Sequence, residues 1–554
     1  MLRIDESMKM SLLLFAGIAL CQSASVPATM TVVPEEARCY ATDTPATPTP
    51  VARVRLSWED FVKGPDGAKR LASLEKGIAK MKSLDAQRGS TDPQKQLDYK
   101  RSWEYWANIH GYYGTGPNSS GNVEAMKRKY PAAAASWNGI PDQTPPSDGV
   151  APKVWGTCVH SDPPTVDADG NQIYHESPFW GWHRIYLYYF ERVLRWASGD
   201  DTLNLPYWDY TNPTYAVLPA QFQTTSAVLY ADKRSVKINH GGKISSTNVD
   251  DALKQSVFTD AEGSVEWGVH GTIHCAVGGG CPVALMGDVP VAGNDPIFYM
   301  HHANIDRLWA CWDHLHSAST ATGAGDNTSY SFPDETGTLQ TRKVSEFLST
   351  DANGYVYENV ANCLRKPAAH VVHTAAVKPQ TQKSENPNQS VPLVVGSAAG
   401  VKLTEPRTTV DIAVPRQMLT ALAKPTGPIT TRLVLRDITA QVAPGAMVDV
   451  FVEAKGKPNQ RKYVGTINWF GAFGHHHEGP SVQARSFDIT DQLKTLGVTA
   501  DGITVTMEAT TGVTAPPPSG IAPQTATSQP TGAINPDSHL TIGLVEIRQV
   551  PIKQ

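Results

Sequence analysis

Several histidines in this chain recur at spacings that could hold a metal. His270-Gly-Thr-Ile-His274 puts two imidazoles on one face of a helix, one turn apart. Downstream, Asp295-Pro-Ile-Phe-Tyr-Met-His-His-Ala-Asn-Ile-Asp-Arg-Leu-Trp309 carries the adjacent pair His301 and His302. Upstream stands Trp182-His183-Arg184, and before it His110, Cys158-Val-His160 and His175. A third imidazole from a second helix would complete a three-nitrogen site. Imidazole suits copper, iron, zinc and nickel alike, so spacing alone does not choose the metal. A structural zinc site would be closed and rich in cysteine. A two-zinc hydrolase would recruit Asp or Glu bridges, and none stands within the His270–His274 pair or next to His301 and His302.

The string from Asp295 to Trp309, with His270 and His274 before it, closely resembles the second copper half-site of the type 3 copper proteins: tyrosinases, catechol oxidases and molluscan hemocyanins. Trp182-His183-Arg184 and the following Ile-Tyr-Leu-Tyr-Tyr-Phe-Glu191 resemble the end of the first half-site, in the family's order. The resemblance implies His270, His274 and His302 as ligands of one copper, with His301 as a supporting neighbour. For the other copper it implies His110 and His183. The third ligand has two candidates. Cys158-Val-His160 resembles an element in which the cysteine sulfur is bonded to the ligand imidazole, so Cys158 is a thioether candidate. His160 then lies farther from His183 than the family usually places it. His175 resembles the corresponding histidine of animal and streptomycete tyrosinases but stands one residue too close. Either a loop (residues 162–174) is inserted after His160, or His175 has shifted in. The first is preferred because an inserted loop costs little and gives Cys158 a role; the choice stays open.

Glu266, four residues before His270, resembles a glutamate that holds a water near the copper pair, and is the candidate general base. Gly271 stands where many monophenol-hydroxylating relatives carry asparagine. Asp306 and Arg307 lie one turn beyond the histidines and are candidates to orient them. His475-His-His477 tempts a metal reading, but a triple histidine in a Gly-rich turn is ordinarily solvated loop. The resemblance implies two copper ions with dioxygen as co-substrate, and small phenols as partners. The implied activity is oxidation of o-diphenols to o-quinones with hydroxylation of monophenols. The alternative is a hemocyanin-like reversible dioxygen carrier.

Elements must bring these residues together. Helical periodicity runs from Ser57, through Leu71, Leu74, Ile78 and Met81. Four further helices carry the histidines, over 100–109, 182–196, 265–275 and 298–312, and facing helices of a bundle can converge imidazoles in its core. Past Cys363 the pattern changes to short alternating, β-branched runs: 408–414, 431–436, 447–453, 502–507 and 540–547. The expected fold is therefore a mainly α catalytic domain, a four-helix bundle holding the dicopper site, followed by a β-sandwich-like C-terminal domain. By resemblance that domain covers the active site and sets an aromatic residue over it.

The chain has 554 residues and a net charge of -5, with no long charged block. Neither a nucleic-acid nor a membrane partner is indicated; the oligomeric state, homo-oligomers included, is left open. Residues 1–25 read as a signal peptide: Lys9, an apolar run to Leu20, then small residues Ser23 to Ser25. Export, periplasmic or extracellular, follows as the expectation and permits disulfides; Cys275 and Cys281 flank a Gly-rich loop that could close into one. The expected organisation is an irregular arm over 26–56, the catalytic domain over 57–370, a linker over 371–400, and the β domain over 401–554. Cleavage near 375–395 would release a latent enzyme.

Overall fold

The computed structural model describes residues 52–114, 123–140, 143–146, 151–283, 285–316, 325, 327–365, 392–415, 418, 429–457, 460–473, 481–497, 502–514 and 532–551. The expected signal peptide, most of the arm and linker, Cys39 and the His475–His477 run lie outside them.

The first part is helical. Helix α1 (Gly67–Ser83) packs on α3 (Phe179–Ser198), with α2 (Trp103–His110) between them in the chain. Gly77 permits the close approach of α1 to α3, since a Cβ there would lie 2.8 Å from Leu194 Cδ1. Helix α2 starts where the Ser102 hydroxyl accepts from Tyr105 N–H at 3.2 Å, a side-chain N-cap. Helix α3 stops at Gly199, whose φ of 68° suits glycine. Helix α4 (Phe258–Val265) runs into a π-helical turn (Glu266–His270) and on into α5 (Gly271–Gly278). Helix α6 (Ile297–Leu315) begins with the Asp295 carboxylate accepting from Ile297 N–H at 3.1 Å. Arg234 grips the same carboxylate at 2.6 and 2.8 Å. Trp106, Trp180, Trp182, Trp309 and Trp312 are fully buried among these helices. Two disulfides brace them, Cys275–Cys281 after α5 and Cys311–Cys363 from α6.

The second part is mainly β, with a short helix at Thr490–Leu496. One antiparallel sheet has the order β5-β4-β7-β2, from β2 (Arg407–Ala413), β4 (Met447–Ala454), β5 (Lys462–Ile467) and β7 (Gly502–Thr510). The other has the order β6-β3-β8-β1, from β1 (Leu393–Lys402), β3 (Ile429–Ala440), β6 (Ser481–Asp488) and β8 (Thr541–Pro551). The architecture is the expected one, a helical domain followed by a β-sandwich-like domain.

Strand β1 begins inside the span assigned to the linker, because Val395 and Val401 are buried and its backbone pairs with β8. The arm also ends in structure: Arg53–Arg55 forms a short strand parallel to Tyr355–Tyr357. Buried Arg55 anchors it on Glu191 (2.8 Å) and Asp306 (3.2 Å).

The stretch between His160 and His175 forms a small hairpin, Thr165–Val166 paired with Gln172–Ile173. It docks on the second sheet. Ala484 N–H donates to Pro164 O at 2.8 Å. Arg436 donates to Val166 O (3.2 Å) and Asp167 O (2.8 Å), and Ser486 Oγ to Gly170 O (2.6 Å). The inserted segment is thus a clasp between the two domains. No helix among the described residues is long and apolar enough to cross a membrane.

Candidate metal centre

Four imidazoles are held in one tautomer by the backbone. His110, the last residue of α2, has Nδ1 3.1 Å from Val289 O. His183 on α3 has Nδ1 2.8 Å from Phe179 O, one turn earlier. His270 closes the π turn with Nδ1 3.2 Å from Glu266 O, and His274 has Nδ1 2.7 Å from Met286 O. A carbonyl can only accept, so Nδ1 carries the hydrogen and Nε2 keeps its lone pair. His302 on α6 lies flat on His183, with 4.2 Å between ring centroids.

These imidazoles come together at their ring nitrogens. The Nε2 atoms of His274 and His302 face each other at 3.3 Å, and Nε2 of His270 is buried with no partner. Burial, then repulsion from His160, pulls His183 down to about 3. Burial first, and neighbouring imidazoles next, hold His270, His274, His301 and His302 well below the ordinary value. Converging neutral nitrogens with an unpartnered buried Nε2 fit a metal ion that replaces the missing protons.

Ligand atoms within 4.8 Å of one another form three groups among the described residues: His110–His183–His302, His270–His274–His301–His302, and His110–Cys158–His160. None contains a carboxylate, which suits two imidazole-bound copper ions. His160 joins the cluster, its ring 6.2 Å from those of His110 and His183 and 5.6 Å from that of His270. His175 is half-buried and belongs to none of these groups. Cys158 is buried and forms no disulfide; Sγ lies 3.6 Å from His160 Nε2 and 3.5 Å from His183 Nε2. Burial pushes its thiol well up.

Glu266 touches both halves. Its carboxylate lies 3.2 Å from His160 Nδ1, and its backbone carbonyl is the one facing His270 Nδ1. Ser161 fixes that carboxylate with its N–H at 2.8 Å and its hydroxyl at 2.7 Å. The hydrogen bonds of Asp306 and Arg307 run elsewhere than expected. Asp306 accepts from Arg184, Arg55, Tyr355 and Tyr357; Arg307 donates to Asn304, Asp209 and Thr211. Buried Arg55 and Arg184 claim Asp306, and Asp209 and Thr211 claim Arg307, so the pair fastens α6 in the bundle instead of orienting an imidazole.

The C-terminal domain closes the site with the turn after β5. Phe470 stacks on His274, 3.8 Å between centroids and 11° between planes, and lies edge-on to His270 at 5.4 Å. Two residues earlier, Asn468 Nδ2 donates to Trp267 O at 2.7 Å and to Gly268 O at 3.3 Å. A Cβ at Gly271 would collide with the Asn468 amide. Sequence reasoning did not find Ser161, Asn468 or Phe470. The Asn-Trp-Phe-Gly turn after a strand was the one available signal, and it names no partner.

The family described as the common central domain of tyrosinase matches residues 100–258 and 243–315. The latent form of a chloroplastic polyphenol oxidase from Prunus armeniaca is 26% identical over 442 residues, 70% of this chain and 71% of that protein. Chloroplastic polyphenol oxidase C of Solanum lycopersicum is 29% identical over 271 residues, 39% of this chain and 43% of that one. The tyrosinase HcTyr1 of Hahella sp. (strain CCB-MM4) is 26% identical over 326 residues, 52% and 60% of the two chains. The match therefore spans less than two thirds of the tomato and Hahella proteins. The structure of a latent aurone synthase (polyphenol oxidase) shares the fold, with a TM-score of 0.51 at 20% identity over 91% of this chain and 90% of that one. With the imidazole clusters and the matched central domain together, the chain belongs to the type 3 copper family of tyrosinases and polyphenol oxidases.

Proposed function

We propose that this protein oxidises o-diphenols to o-quinones with reduction of dioxygen to water, and hydroxylates monophenols to the same o-diphenols. In this reading His110, His160 and His183 hold one copper, and His270, His274 and His302 the other. The observation that carries it is the convergence of neutral imidazoles whose Nδ1 atoms are pinned outward, with no carboxylate among them. Bound copper supplies the electron transfer between phenol and dioxygen; the chain supplies geometry, a dry pocket and a base. The phenol ring stacks on His274 where Phe470 now lies, and its hydroxyl proton passes to the Glu266 carboxylate, which Ser161 holds in place. Cys158 lies close enough to the His160 ring for a thioether, whose formation would replace the S–H and a ring C–H by a C–S bond and pass two electrons and two protons to dioxygen, with bound copper as the conduit. Small phenols are the substrates, and the covered site marks a latent form opened by cleavage in the segment after Cys363. The two disulfides support export to an oxidising compartment.

A dioxygen carrier built on the same histidines is the second reading, favoured by one observation: Phe470 shuts the face a phenol must reach. Oxygen uptake by the copper-loaded protein, offered a monophenol and then a catechol before and after limited proteolysis, decides. Uptake with both makes it a tyrosinase and uptake with catechol alone a catechol oxidase. Reversible oxygen binding without uptake in any sample defeats the enzyme reading.

A further inference from the structure

Four of the assigned ligands take their tautomer from a backbone carbonyl: His110, His183, His270 and His274. His302 lies flat on the His183 ring. His160 is held differently. It stands in irregular chain after a short helix, and its Nδ1 faces a side chain, the Glu266 carboxylate, at 3.2 Å. A glutamate side chain has much rotamer freedom, so it orients an imidazole only if it is itself held.

Two pairs of chain neighbours, His160–Ser161 and Glu266–Trp267, interlock to hold it. Ser161, Glu266 and Trp267 are all buried. The Trp267 indole N–H can only donate, and it lies 2.8 Å from Ser161 Oγ. Ser161 Oγ accepts that hydrogen, so its own is turned to Glu266 Oε2 at 2.7 Å. Ser161 N–H donates to Oε1 at 2.8 Å. Both carboxylate oxygens are then acceptors, and His160 Nδ1 must supply the hydrogen on the bond it shares with Oε1. Its Nε2 keeps the lone pair, the state a metal ligand needs. The direction of every bond in this chain follows from the one donor that cannot reverse.

We propose that Ser161 and Trp267 are positioning residues for the copper ligand His160. Trp267 sets the direction of the Ser161 hydroxyl, Ser161 holds Glu266, and Glu266 keeps His160 in its binding tautomer. The copper that His160 shares with His110 and His183 thus depends on buried side chains that touch no metal. His270 and His274, on the other copper, rest on backbone carbonyls. This deepens the phenol-oxidase reading and rests on its ligand set.

The test uses full-length protein and copper ions, with a competing chelator to read the two affinities separately. Ser161→Ala and Trp267→Phe should each weaken one copper by about 10–100-fold, the cost of losing an outer partner of a ligand, and leave the other unchanged. Ser161→Thr, which keeps the hydroxyl, should restore the affinity. Glu266→Gln, whose amide oxygen still accepts from Nδ1, should keep both coppers. The weakened copper should be the one that His160→Ala loses. In His160→Ala/Ser161→Ala the second change should cost nothing further, because both act through one imidazole. Equal weakening of both coppers, or losses that add in the double variant, overturns the positioning role. Unchanged affinity in Trp267→Phe overturns the part given to its N–H. If Ser161→Ala fails to fold, Trp267→Phe and His160→Ala/Trp267→Phe carry the same comparison. Copper affinities read the positioning without turnover. Affinities that behave as expected, with no oxygen uptake on any catechol, defeat the oxidase reading alone.

Discussion

Phe470 lies on His274 as a substrate ring would, stacked at 3.8 Å and nearly parallel, although the two residues come from different domains. A cover that opens in about 0.1–10% of molecules leaves only that fraction able to bind substrate. Phe470→Ala should therefore raise kcat/KM for a catechol by about tenfold or more, with copper content unchanged. Steady-state oxygen uptake beside metal analysis checks this; an unchanged kcat/KM would show that Phe470 is not the barrier.

The His160 and His175 alternatives separate by metal content. His160→Ala should weaken one copper by more than the roughly 10–100-fold that loss of an outer partner costs, whereas His175→Ala should keep both. Copper loss from the His175 variant alone would reverse the assignment.

Glu266 is assigned as the base, and its amide tests that. Glu266→Gln should retain both coppers while kcat falls by about a hundred- to ten-thousandfold, the usual worth of general base catalysis. Full activity in that variant would remove the base role and leave Glu266 as a holder of His160.

The hairpin after His160 should act as a clasp. Arg436 spans it with bonds to Val166 O and Asp167 O and an ion pair to Glu546. Arg436→Ala should cost about 1.5–3 kcal/mol of docking, as for hydrogen bonds from a charged group. Faster limited proteolysis, together with higher activity of the uncut chain, is the expected outcome; unchanged proteolysis would mean the clasp holds nothing.

Asp288, buried beneath Tyr113 and Trp137, gives a pH signature. Burial pushes its carboxyl up to about 6. The unfolded chain releases that proton near 4, so the folded chain keeps a proton the unfolded one has lost between about pH 4 and about pH 6. The stability it contributes is full below that interval and lost as pH rises through 6. Urea unfolding should show wild type losing more stability than Asp288→Asn from pH 4 to pH 7. Equal losses would contradict the buried proton.

Much of this was legible in the chain. The one-turn spacing of His270 and His274 and the Asp295-to-Trp309 string announced the cluster, because helical periodicity is local. Five strands of the sandwich were readable from alternation. Three were not: Leu393–Lys402 is diluted by glycine and alanine, while Lys462–Ile467 and Ser481–Asp488 are edge strands with polar faces. The π turn leaves no periodic trace, and its carbonyls at Trp267 and Gly268 meet Asn468 from a distant part of the chain. Asn468 and Phe470 meet Gly271 and His274 only after two domains dock, so no local pattern pairs them. The excess length between His160 and His183 was visible as an insertion; its use as a clasp depends on strands hundreds of residues away.

The most direct test of the central claim combines metal analysis with oxygen uptake on one sample of the reconstituted Phe470→Ala protein. Two coppers per chain and catechol-dependent oxygen consumption are the predicted result. Two coppers with no consumption, or fewer than two coppers with consumption undiminished, would contradict a phenol oxidase built on a pair of imidazole-bound coppers.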